Sequence, residues 1–383
     1  MGLILNDLKN ACELEHVCDY VNNRTTSSMN YISTENMLPN KGGISESTII
    51  PPGTTTEYKI GDILISNIRP YFQKIWCADR CGGCSADVLC IRAKENTDSK
   101  YLYYLLSQQA FFDYVMSGAK GCIMPRGEKK QSMQWPVNIP AIDVQKKVVA
   151  ILSSLDNKIR LNRRINDNLE EQAKALFNHY FIQNTENLGE WQDGVLTDIA
   201  QYLNGLAMQK YPAMPNEAGL PVLKIKELGQ GQCDTNSDRC SSLIKPEYII
   251  SDGTIIFSWS GTLLVDIWCG GKCGLNQHLF KVSSAKYPQW FVFYWTKHHL
   301  NKFIRIAKDK AVTMGHIKRC DLEISKVKIP SKQALVNLDK LFSPIFNRMV
   351  TCRIENRKLS SLRDTLLPKL MSGEISVEEV SLD

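Results

Sequence analysis

Two stretches of the chain carry apolar side chains at steps of four and three. The first runs Val148, Leu152, Leu155, Ile159, Asn162, Asn166, Leu169, Ala173, Leu176, Tyr180. The second runs Leu338, Phe342, Ile345, Met349, Cys352, Asn356, Leu359, Arg363, Leu366, Leu370. Each is a heptad stripe, which predicts a long helix whose narrow apolar seam needs a partner. The obvious partner of each stripe is the other. A helix of about 40 residues is roughly 60 Å long, so the pair predicts a rigid rod between globular ends. Asn166 and Asn356 hold equivalent core positions in the two stripes, where asparagine fixes register at some cost in stability. Asn162 and Arg363 interrupt the same seam with further polar groups.

Outside the stripes the pattern shortens. "KIGDILIS", "SADVLCIRA", "GLPVLKI", "DGTIIFSW" and "HLFKV" read as strands, separated by loops such as "LPNKGG", "IIPPGT" and "LGQGQCDTNSD". Two aromatic-rich segments, "YLYYLLSQQAFFDYVM" and "YPQWFVFYWTKHHLNKFIRIA", read as helices with core-facing rings. These features occur twice. "GDILIS" followed by "IWCADRCGG" returns about 190 residues later as "GTIIFS" followed by "IWCGGKCG". Trp76, Cys77, Cys81 and Gly82 match Trp268, Cys269, Cys273 and Gly274; Met124 and Pro140 match Met314 and Pro330. So long a period implies whole domains rather than a solenoid. The expected fold class is α+β: two similar domains of mixed β-sheet with helices, related by a pseudo-two-fold and joined by two long helices that form a coiled coil. The expected boundaries are 1–137, 138–188, 189–327 and 328–383.

Composition narrows the class. The chain has 383 residues, 43% hydrophobic and 22% charged, ordinary values for a globular protein of two domains. No apolar run is long enough to span a membrane, and Asn6 and Asp7 interrupt the place where a signal peptide would continue, so a cytoplasmic protein is expected. Thirteen cysteines, an odd number, argue for reduced thiols rather than a disulfide framework. The net charge of +6 suits an acidic partner such as nucleic acid without requiring one.

The helical regions resemble a known family. "NIPAIDVQKKVVAILSSLDNKIRLNRRINDNLEEQAKALFNHYF" is similar to the central conserved region of type I restriction-modification specificity subunits, with Pro140, Gln145, Leu155, Asp156, Asn166 and Leu169 carrying the match. "LRDTLLPKLMSGEI" from Leu362 resembles the C-terminal conserved region of that family. "YKIGDILISNIRP", "MPRG" and "MGHI" resemble pieces of its target recognition domains. Gln145 has no counterpart in the second region, where Leu335 stands in its place, and the cysteines of the first recognition domain are unusual. The resemblance implies two target recognition domains, each reading half of an asymmetric, bipartite double-stranded DNA site, held apart by an antiparallel coiled coil whose length would set the gap. It also implies a non-catalytic chain without a cofactor of its own. Two methyltransferase subunits bringing S-adenosylmethionine would dock on it, with restriction–translocase subunits completing the enzyme.

Such a protein needs cations for phosphates and polar side chains for base edges. The candidates in the first domain are Arg69, Lys74, Arg80, Lys120, Arg126, Lys129 and Lys130. Those in the second are Lys210, Lys224, Lys226, Trp259, Ser260, Lys308, Lys310, His316 and Lys318. Arg160, Arg163 and Arg164 add a basic face in mid-helix that could meet DNA, a methyltransferase or only solvent. Two rivals stand beside this reading. Cys77, Cys81 and Cys84, with Cys90, have spacings that an iron–sulfur cluster or a zinc ion could use. A coiled-coil scaffold without DNA specificity is the other. The chain has no phosphate-binding loop for a motor and no zinc-protease or adenine-methyltransferase motif.

Overall fold

The computed structural model describes residues 11–26, 30–45, 53–119, 121, 123–183, 191–309 and 315–378. Lys120, Lys310 and Met314 of the "MGHI" piece lie outside the described residues. The chain divides into two compact units, residues 1–156 with 361–383 and residues 157–360. The division falls within both long helices, Ile142–Phe177 and Lys332–Met371.

In the first unit, a four-stranded antiparallel sheet runs Cys18–Tyr20, Val88–Ala93, Ile63–Ser66, Ile75–Cys77 in spatial order. A smaller sheet joins Arg24–Thr25, Thr55–Tyr58 and Gly82–Cys84. In the second unit, the corresponding sheet runs Gln201–Asn204, Leu279–Ser283, Thr254–Ser258, Leu264–Trp268, again all antiparallel. A second sheet orders Arg239–Cys240, Leu220–Leu223, Cys273–Leu275 and Ile249–Ile250. The repeated strand order is the structural form of the sequence duplication. All five sequence-predicted strands are present.

The aromatic helices differ between the units. The second is unbroken, Gln289–Asp309, and buries Trp290, Phe291, Phe293, Trp295 and Phe303 in the core. The first is split into Ser99–Leu106 and Gln109–Ser117. Ser107 makes the break: its hydroxyl donates to the Tyr103 carbonyl at 2.6 Å, and Gln108 turns extended.

Each unit contains an antiparallel pairing of the two long helices. In the first, the Arg363 guanidinium donates to Asp156 at 2.8 Å and Lys147 Nζ donates to the Glu378 carbonyl at 2.7 Å. Val148 and Leu152 share its core with Leu367 and Leu370. In the second, Asn162 Nδ2 donates to Asn356 Oδ1 at 3.0 Å, and the Phe181 and Phe342 rings lie 6.3 Å apart. Leu152, Ile159, Phe342 and Met349 are buried; Leu155, Asn166, Leu169, Leu176, Ile345, Asn356, Leu359 and Leu366 are half-buried.

Two details depart from the heptad reading. The seam hydrogen bond to Asn356 comes from Asn162, not Asn166, because antiparallel helices oppose positions that rise on one strand and fall on the other. Equivalence in the repeat therefore does not make neighbours. At the helix ends the deepest positions are Phe177, Phe181 and Leu367, one residue on from Leu176, Tyr180 and Leu366. There each helix packs on a globular core as well as on the other helix, and the first ends in a π-helical turn, Asn178–Gln183, that rotates its face.

Gln145 is fully buried. It accepts from the Asp98 N–H at 2.8 Å and donates to the carbonyls of Asn96 (3.0 Å) and Pro140 (2.9 Å), tying the helix start to the loop before Ser99–Leu106. Leu335, its positional equivalent, packs against the apolar core of the second unit instead.

Candidate nucleic-acid interface

The two units build the same backbone frame from different side chains. In the first, the turn after Ile63–Ser66 is zipped to the segment preceding the short helix Lys129–Met133. Arg69 N–H donates to the Pro125 carbonyl (2.8 Å), Gly127 N–H to Asn67 (3.3 Å) and Asn67 N–H to Asp87 (2.9 Å); Ile68 bridges Arg126. In the second, Gly261 N–H donates to Gly315 (3.0 Å), Ile317 N–H to Trp259 (3.1 Å) and Trp259 N–H to His278 (3.4 Å); Ser260 bridges His316. The short helix Arg319–Glu323 follows. The repeat thus superposes Asn67 on Trp259, Ile68 on Ser260, Asp87 on His278 and Arg126 on His316.

The frame gathers several of the expected residues. Arg69 stands at φ 51°, a left-handed conformation that lifts the chain into the turn Pro70–Phe72 and exposes Tyr71. Lys74 Nζ donates to the Thr34 carbonyl at 2.7 Å, and burial pulls its ammonium below the usual lysine range. Arg126 is exposed and pairs with Asp87 at 3.2 Å. Lys129 and Lys130 open the next helix, whose first N–H groups are capped by Glu128; Lys129 lies 6.0 Å from the Tyr20 ring.

In the second unit Trp259 stacks on Phe280 at 5.7 Å and donates from Nε1 to Asn204 Oδ1 at 3.0 Å. Ser260 Oγ lies 3.0 Å from His278 Nδ1, and His278 Nε2 lies 3.3 Å from Gln277 Nε2. His316 is edge-on to Trp259 at 6.4 Å, and exposed Lys318 follows. Lys308 ends the long aromatic helix; a side chain at Gly315 would meet the Ala307 carbonyl oxygen at 2.6 Å, so the helix end abuts the frame.

Other candidates lie elsewhere or are neutralised. Arg80 is at the other end of the first sheet, 5.9 Å from the Trp76 ring and 3.7 Å from Asp79. Lys224 is paired with Asp238, and Lys226 with Asp234 at 3.5 Å. Lys210 is exposed at the end of the turn Met208–Lys210. Sequence reasoning missed Asn67, Asp87, Asn204, Gln277 and His278. Aligning the two repeats would have found Asp87 and His278, since each immediately precedes the matched strand Val88–Ala93 or Leu279–Ser283.

Among the described residues no three His, Cys, Asp or Glu side chains converge to hold a metal ion. Cys77 and Cys84 lie on strands of different sheets, and burial pushes their thiols up to about 11 and about 12, so they stay protonated. No helix among the described residues is long and apolar enough to cross a membrane.

Comparison with known proteins agrees with this architecture. The family described as type I restriction modification DNA specificity domain matches residues 9–171. The type I restriction enzyme MjaIX specificity subunit of Methanocaldococcus jannaschii is 26% identical over 310 residues, 75% of this chain and 71% of its own. The HindI specificity subunit of Haemophilus influenzae is 21% identical over 434 residues, 90% of this chain and 94% of its own. The solved S subunit of a type I restriction-modification system from M. genitalium shares the fold, with a TM-score of 0.53 at 15% identity over 97% of this chain and 98% of its own. In sequence this chain is similar to type I restriction-modification specificity subunits, and its duplicated sheets and paired helices share the fold of a solved one.

Proposed function

We propose that this chain is the DNA-reading subunit of a type I restriction-modification complex and catalyses no reaction itself. The observation that carries the reading is the frame built twice with unlike side chains. A shared backbone supplies one mode of docking, while Arg126 and Asp87 in one unit and His316 and His278 in the other supply different readouts. The target is accordingly bipartite and asymmetric double-stranded DNA. In this reading, segments 1–137 and 189–327 are the recognition domains, and 138–188 and 328–383 the helical regions on which two methyltransferase subunits and the restriction subunits dock. S-adenosylmethionine belongs to those methyltransferases, and the complex works in the cytoplasm, where DNA is reached and thiols stay reduced. Phosphate contacts come from the exposed cations beside each frame, including Lys129 and Lys130 in one and Lys308 and Lys318 in the other.

Methylome sequencing of a host carrying this chain with its methyltransferase subunits tests the proposal. The expected result is one methyladenine motif with two unlike halves separated by an unspecified gap. A continuous or palindromic motif, or no new methylation at all, would remove the reading.

A further inference from the structure

The pairing of Arg126 with Asp87 has chemical consequences that set it apart from the lysines around it. Arg126 lies on backbone held on both sides: the Arg69–Pro125 hydrogen bond before it and the Gly127–Asn67 hydrogen bond after it together bridge it to Ile68. Its side chain is more than half exposed, and Asp87 engages Nη2 alone, at 3.2 and 3.5 Å from the two carboxylate oxygens. A guanidinium carries five N–H donors, two of them on Nη2, so beside the one given to Asp87 a parallel donor pair that includes the second Nη2 hydrogen remains for another ligand. The carboxylate does two things. It limits the rotamers of the arginine, which lowers the entropy lost on binding. It also cancels the local positive charge, which disfavours a phosphate and leaves the fork suited to a neutral pair of acceptors. In duplex DNA the major-groove edge of guanine, O6 with N7, is the acceptor pair that fits an arginine fork.

We propose that Arg126, aimed by Asp87, reads a guanine in the half-site contacted by the first unit, and that the matched position in the second unit, His316, makes that half-site different. The inference rests on the reading of this chain as a DNA-specificity subunit. It assigns Arg126 as the base-contacting residue and Asp87 as its positioning residue. In the second unit the place of Asp87 is taken by His278, held between Ser260 and Gln277, so no carboxylate–arginine pair is available there.

The test is selection from a pool of randomised DNA duplexes by the full chain assembled with its methyltransferase subunits, comparing wild type with Arg126→Ala, Arg126→Lys and Asp87→Asn. For wild type, two fixed half-sites are expected. Arg126→Ala should lose the preference for guanine at one position of one half-site, weakening the original target by about tenfold to a hundredfold and leaving the other half unchanged. Arg126→Lys, with the charge kept and the fork lost, should relax the same position. Asp87→Asn should lower discrimination at that position while raising affinity for unrelated duplexes, an effect that mere structural support of the loop would not produce. Uniform weakening by Arg126→Ala with the selected sequence intact would show a phosphate contact and overturn the proposal. So would a preferred base other than guanine at the affected position. If wild type enriches no sequence at all, the specificity reading itself falls, which is a separate failure.

Discussion

At the residue scale, some polar groups in the helix seam are matched to partners and others are not, the buried Asn166 Oδ1 among the latter. Asp156 accepts from the Tyr104 hydroxyl at 2.7 Å and from Arg363 at 2.8 Å, so the arginine that breaks the apolar stripe closes a hydrogen-bonded pair within the first unit. Asn162 is fully buried and donates to Asn356 and, at 2.8 Å, to Glu355, while its own Oδ1 has no hydrogen-bond partner. Such an asparagine trades stability for register. Asn162→Leu is therefore expected to stabilise the protein by about 1 kcal/mol, seen as a thermal midpoint roughly 2–4 °C higher, because Asn356 and Glu355 are half-exposed and can turn to water. A midpoint that falls by several degrees would show that the hydrogen bonds outweigh the desolvation of the amide.

At the element scale, the second long helix contains Pro344 and Pro368, yet runs unbroken for 40 residues. Proline in a helix interior removes one backbone hydrogen bond and crowds the preceding turn, at a cost of about 3 kcal/mol. Both prolines are exposed, and the flanking Phe342, Phe346, Leu367 and Leu370 are buried, so packing on the core offsets the local loss. Pro344→Ala should then stabilise by about 1–3 kcal/mol, read as a higher urea midpoint with unchanged slope. An unchanged or lower midpoint would mean that the helix is bent at Pro344 to fit its neighbours. The heptad stripe located both helices from sequence. The split of one aromatic helix at Ser107 and the rotation of the buried face at Phe177 and Phe181 were not legible, because both depend on what the helix packs against.

At the scale of the whole molecule, acid stability reports on the second unit. His299 lies on the helix Gln289–Asp309 with Nε2 2.8 Å from the Lys326 carbonyl oxygen, a contact that an N–H makes. Burial, aided by neighbouring His298 and Lys302, holds its imidazole at about 4, below the ordinary 6.5. The folded form thus takes up the proton later than the unfolded form. Its contribution is present above pH 6.5 and is lost as pH falls from 6.5 towards 4. Urea midpoints measured across that window should decline towards acid, and His299→Gln, which keeps a donor for Lys326 but cannot titrate, should flatten the decline. Equal slopes for the two proteins would assign the acid sensitivity elsewhere.

Sequence by itself determined the duplication, the α+β class and the two long helices, because these are written in periodicity and in repeated spacing along the chain. It also pointed to the turns at 66–74 and 258–262 and to the segments that close on them. Only the tertiary structure decided that Asn162 rather than Asn166 meets Asn356, that Arg80 lies away from the other cations, and that Asp87 and His278 belong to the frames. Those facts depend on residues far apart in sequence being brought within hydrogen-bond distance. Strand register and antiparallel helix pairing set those distances, and no local pattern of side chains encodes them.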